Sequence, residues 1–165
     1  MWFYSHKLSK ILIINNITFV SLTLYPFFGM MVYYHTFSGK VFLMAVFLFL
    51  MLLVMDILKD ILTKNADKIF GYTTIPNTFG TRNAVNVVVA LSVLLFTVSM
   101  LIISNTGIHS ILPLYFAAGL FVIILSVYLL LNSVKKPNFT VLNILRIWVF
   151  VGIIAMLLDG IIERF

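Results

Sequence analysis

Five apolar runs, at residues 11–34, 41–58, 84–104, 111–131 and 141–162, leave this chain few ways to fold. About twenty apolar residues in a helix match the hydrocarbon thickness of a bilayer. Lipid offers no partner to backbone N–H and C=O groups, so each run must bond itself internally, as a helix does. Of 165 residues, 62% are hydrophobic and only 10% carry charge, which excludes an ordinary soluble domain. The sequence therefore predicts an all-α integral membrane helical bundle, a single transmembrane domain over residues 1–165 with five transmembrane helices. The first run is too long for a signal-peptide core and lacks a small-residue cleavage site. With no cysteine, there is no disulfide framework and no thiolate chemistry.

The net charge of +6 does not point to nucleic acid as a partner, because the basic residues sit at the ends of apolar runs. They report orientation instead. Lys7, Lys10, Lys59, Lys64, Lys68, Arg82, Lys135 and Lys136 fall on one side of the expected five-span topology. Lys40 and Arg164 fall on the other, and Arg146 lies one turn inside the fifth span. By the positive-inside rule the N-terminus and the 56–83 segment face the cytoplasm and the C-terminus faces outside, in the cell membrane.

That segment holds three of the four aspartates, in MDILKDILTKNADKIFGYTTIPNTFG from Met55 to Gly80. Asp56 and Asp60 are four apart, so a helix places both carboxylates on one face. Asp67 shares that face if the helix continues, and Gly71 is a natural terminator. Lys59, Lys64 and Lys68 are interleaved with the acids. Hard oxygen ligands beside cations at a membrane edge suit Mg²⁺ that in turn holds phosphate. The simpler reading is a solvated cap between two spans.

The pattern D-I-L-K-D…D-K-x-x-G-x-x-T-I-P-x-x-x-G resembles the second aspartate motif of the UbiA superfamily of intramembrane prenyltransferases. Asp56, Lys59, Asp60, Asp67, Lys68, Gly71, Thr74, Ile75, Pro76 and Gly80 fall into step with it. Met55 stands where arginine is common, Thr63 where a further acid is common, and Ala66 where glycine is common. The lead, with Tyr4, Ser5, Lys7, Lys10, Asn15 and Asn16, is similar to the family's connection into its fifth helix. The five spans thus look like helices five to nine of a nine-helix ring, about half of the family fold. The branch that makes ether lipids, the geranylgeranylglyceryl phosphate geranylgeranyltransferase-like one, looks nearest.

The resemblance implies Mg²⁺-dependent transfer of an isoprenyl group from isoprenyl diphosphate to a hydrophobic or amphiphilic acceptor in membrane lipid or quinone biosynthesis. It implies Asp56, Asp60 and Asp67 as metal ligands, and Lys10, Lys59 and Lys68 as diphosphate contacts. Asn16 would contact substrate or bond another helix. The family's first motif, N-x-x-x-D-x-x-x-D, has no counterpart here: no acid precedes Asp56. The expectation is a C-terminal half, a fragment or split subunit, inactive without a separate N-terminal half as its partner. The alternative is a small non-catalytic membrane protein, such as a transporter subunit or assembly factor, that keeps the motif as a polar loop. Elsewhere, Asp159 is expected to snorkel to the interface and Trp148 to anchor there. Phe47, Phe49, Phe96 and Phe121 are expected to pack rather than to face a carbocation.

Overall fold

A computed structural model describes residues 12–35, 38–106, 110–132 and 139–162. It is all-helical, with no strand among the described residues. The elements are α1 (Leu12–Tyr33), α2 (Gly39–Ile69), α3 (Ile75–Thr78), α4 (Thr81–Asn105), α5 (Leu112–Asn132) and α6 (Phe139–Ile162). All except the four-residue α3 are long and apolar enough to cross a membrane.

Helix α2 is the hub. It packs against α1, α4 and α6, while α4 packs on α5 and α5 on α6. Helices α2, α4, α5 and α6 thus close a four-helix ring, and α1 lies outside it against α2. The buried positions explain the packing. On α4 they are Val85, Val88, Ser92, Leu95, Ser99 and Ile102, alternating three and four residues apart. On α5 they are Leu112, Phe116, Gly119, Ile123, Ser126 and Leu130, with the same alternation. Such a seam is the knobs-into-holes repeat of left-handed helix packing. In lipid there is little hydrophobic drive between helices, so small residues that allow close approach carry association. Ser92, Ser99, Gly119 and Ser126 occupy these seams, and the hydroxyls of Ser92 and Ser99 donate to the carbonyls four residues back at 2.8 Å. Phe47 packs edge-on against Phe116 in the core, whereas Phe121 faces outward.

The second span differs from expectation. Its helix does not end near residue 58 but continues through the acids to Ile69, so only residues 70–80 form the connection, interrupted by α3. At about 1.5 Å per residue, α2 is roughly 46 Å long, well beyond the ~30 Å hydrocarbon core. Gly71 ends it: with φ +71° it adopts the left-handed conformation. Its N–H donates to Lys68 O and that of Tyr72 to Asp67 O, the paired closure of a Schellman motif. Gly80, at φ 86° and ψ 158°, precedes α4 in a conformation essentially reserved for glycine.

A further expectation is corrected at the far end of the bundle. Asp159 does not snorkel: it is buried, and its Oδ1 accepts from Ser110 Oγ at 2.9 Å and Ile111 N at 2.8 Å. It caps the start of α5 from α6, because the first N–H groups of a helix have no partner within it. Trp148 is partly buried. It stacks on Tyr115 at 4.8 Å between ring centroids, and the Tyr115 hydroxyl donates to Trp148 O.

That stack leaves no room beside it. A Cβ built on Gly152 would lie 2.5 Å from the Tyr115 hydroxyl oxygen, whereas one on Gly29 meets nothing within 4 Å. Gly152→Ala is expected to destabilise the bundle by about 1–3 kcal/mol, the usual cost of overpacking. Gly29→Ala should not destabilise it. Thermal unfolding of both variants in detergent checks the contrast.

Candidate functional site

The polar cluster forms where the extended end of α2 meets α1. Asp56 and Asp60, one turn apart on α2, are both buried. Charges there need partners, since an isolated carboxylate in an apolar surround is strongly unfavourable. Asn16 of α1 supplies one: its Nδ2 donates to Asp56 Oδ2 at 2.8 Å and to Asp60 Oδ2 at 2.9 Å. Lys59 supplies the other. Its ammonium is 2.9 Å from Asp56 Oδ1 and 3.9 Å from Asp60 Oδ1, with its side chain about half exposed. The same ammonium stands 5.3 Å from the centre of the Phe19 ring, a favourable cation–π approach. Asn16, 1% exposed, sits on a buried stripe with Val20, Leu24 and Met31.

Asp67 does not join this pair. It lies seven residues beyond Asp60, on nearly the same face but about 10 Å further along the axis. One ion held at the ~2 Å distances Mg²⁺ requires cannot span that gap. Asp67 Oδ2 instead accepts from Thr63 Oγ1 at 2.9 Å. Among the described residues, no three His, Cys, Asp or Glu side chains gather closely enough to hold a metal ion. What converges is the pair of carboxylates, Asp56 and Asp60, on the Nδ2 group of Asn16. Two carboxylates suit a hard divalent cation, with the remaining ligands left to water or phosphate.

Of the expected diphosphate contacts, Lys59 is at the cluster and Lys68 is exposed on the last turn of α2. Lys10 lies outside the described residues. Lys64, not expected to take part, crosses to α4 and donates to Thr81 Oγ1 at 3.0 Å. Behind the cluster is a cavity of about 260 Å³ between α1, α2, α3 and α4. Asn16, Ile17, Leu53, Ile57, Ile75, Phe79, Val87 and Leu91 line it, and its surface is apolar. Ile75 and Pro76, the Ile-Pro of the motif, are buried beneath it. Thr63 was legible as a partner of Asp67 from its four-residue spacing. The cavity was not, because its walls come from four separate elements.

Comparison with known proteins gives no match: no protein-family model, no curated protein and no solved structure matches this chain. The likeness to the intramembrane prenyltransferases therefore rests on the motif residues.

The Lys59–Asp56 pair is half exposed on the lysine side and buried on the other, so its contribution lies above that of a surface ion pair. In a double-mutant cycle, Lys59→Met and Asp56→Asn should be non-additive by about 0.5–3 kcal/mol. Reversible unfolding in detergent measures the coupling.

Proposed function

We propose that this chain is the diphosphate-holding part of a membrane prenyltransferase that moves an isoprenyl group from isoprenyl diphosphate to a hydrophobic or amphiphilic acceptor. One observation carries the proposal: two buried carboxylates and an ammonium adjoin an apolar cavity through Asn16, which bonds both carboxylates and lines the cavity. That is the polarity of a ligand with an anionic head and a hydrocarbon tail.

In the proposed reaction the allylic carbon–oxygen bond breaks and diphosphate leaves with the electron pair. The acceptor's nucleophilic atom then bonds the carbon and gives up a proton. Asp56 and Asp60 would hold Mg²⁺, which when bound supplies positive charge to the departing diphosphate. Lys59, already aimed at the carboxylates, offsets the developing negative charge from the open side. Exposed Lys68 and Arg82 extend the cationic rim. The walls around Ile57, Phe79 and Leu91 exclude water from the allylic cation. Prenyl transfer on this scheme also needs a second acidic motif on the same diphosphate, which a separate N-terminal half would contribute.

The Lys and Arg distribution supports a cytoplasmic acidic end. A membrane-impermeant maleimide should then label an Asn65→Cys variant in inverted vesicles and not in intact cells. The reverse pattern would overturn that orientation.

The hydrogen bonds from Asn16 to both carboxylates favour a second reading, in which the cluster is only an interhelical staple in a non-catalytic membrane protein. Titration of purified protein with farnesyl diphosphate separates the two. The enzyme reading predicts Mg²⁺-dependent binding that falls by about tenfold or more in Asp60→Asn, as loss of a metal-site residue commonly does. The staple reading predicts no binding with or without Mg²⁺.

A further inference from the structure

Asn16 carries an unexplained feature. Its Nδ2 is fully used, bridging Asp56 and Asp60, yet its Oδ1 is buried and meets no hydrogen-bond partner among the described residues. A buried acceptor left unmet is unfavourable, and here it belongs to a side chain that lines the cavity. Both conditions have one simple remedy. The torsion that turns a carboxamide end over end is broad and roughly two-fold, so it rotates at low cost. With nothing between the carboxylates, rotation would set an oxygen against two anions. With a dication there, rotation would supply a third oxygen ligand.

We propose that Asn16 is a cation ligand in waiting: its NH₂ group holds the place of a divalent metal ion between Asp56 and Asp60, and on metal entry the amide turns to present Oδ1. This deepens the proposed function and rests on its cation site. In the apo arrangement the two N–H bonds keep the carboxylates from repelling one another. In the loaded arrangement Asp56 Oδ2, Asp60 Oδ2 and Asn16 Oδ1 are three hard oxygens for one ion, the donor type that Mg²⁺ and Mn²⁺ accept. The two carboxylates and Lys59 together carry one net negative charge. A dication inverts that to one net positive charge, so metal entry would prepare the cluster for an anionic head group. Because the bonds join α1 to α2, the turn would also exchange a direct interhelical link for one through the metal. The other orphaned oxygens of the connection, Thr74 Oγ1 and Asn77 Oδ1, do not share this bridging geometry.

The test is Mn²⁺ affinity of the purified chain in detergent, read as free Mn²⁺ by electron paramagnetic resonance. Asn16→Ala should weaken binding by about tenfold or more, in line with the loss of a residue that shapes a metal site. Asn16→Asp, which keeps an oxygen and removes the competing N–H groups, should bind at least as tightly as wild type. If Asn16 is a tether alone, Asn16→Ala frees the carboxylates and binds as well or better, which overturns the inference while leaving the cation site standing. If wild type takes up no Mn²⁺ and matches Asp60→Asn, both the inference and the cation reading fail. Circular dichroism and elution volume establish that each variant is folded. A second readout covers the case in which Asn16→Ala is not. In wild type labelled with ¹⁵N-asparagine, Mg²⁺ should shift the Asn16 side-chain amide pair, assigned by its absence from Asn16→Asp. An unshifted pair at saturating Mg²⁺ would contradict the rotation.

Discussion

Two carboxylates buried at the end of an apolar helix make the demand that shapes the rest of this structure. In water Asp56 and Asp60 would cost nothing; at the edge of a bilayer they need partners on every open side. The Asn16 amide answers from α1 and the Lys59 ammonium from the next position on α2. Helix α1 lies outside the four-helix ring, and this polar contact joins it to α2 beside the buried stripe of Val20, Leu24 and Met31. Asp56 lies seventeen residues after the start of α2, about 25 Å along the axis. Asp67 is about 16 Å further on, where an acid can be left to a neighbouring hydroxyl and solvent.

The opposite end of the bundle meets the same demand in another way. Asp159 is buried too, and it is matched to the Ile111 backbone N–H at the start of α5 with help from the Ser110 hydroxyl. That carboxylate is taken up in capping. The contrast separates a structural buried acid from a candidate functional one. Asp159 accepts from the backbone and a hydroxyl, whereas the Asp56–Asp60 pair shares one amide whose own oxygen is left over. Between the two poles, the α4 and α5 seams and the Tyr115–Trp148 stack supply close packing that lipid does not drive by itself.

The five spans were legible because each is an unbroken apolar run, and the shared face of Asp56 and Asp60 followed from their spacing of four. The span 41–58 stopped short of the end of α2, although Gly71 was legible as its terminator. Hydropathy falls at Asp56, but the acids and lysines that lower it pair along the helix and sustain it until Gly71 permits the left-handed turn. The separation of Asp67 was within reach of the helical rise, since a shared face is not a shared ion. Asn16 was singled out, but its partners are 40 and 44 residues away, and no periodicity reports such a contact. Asp159 misled because a lone acid near the end of a span looks interfacial. The packing seams were hidden because the helices are apolar nearly all round, leaving only the small residues Ser92, Ser99, Gly119 and Ser126 as traces of them.

The account turns on whether the Asp56–Asp60–Asn16 cluster brings a divalent ion and a diphosphate into direct contact. The most direct measurement is pulsed electron–nuclear spectroscopy of Mn²⁺ bound to the purified chain in the presence of an isoprenyl diphosphate. The account predicts a ³¹P coupling from phosphate oxygen ligating protein-held Mn²⁺, absent when Asp60 is replaced by asparagine. Protein-held Mn²⁺ with no ³¹P coupling, or a coupling that Asp60→Asn leaves untouched, would contradict it.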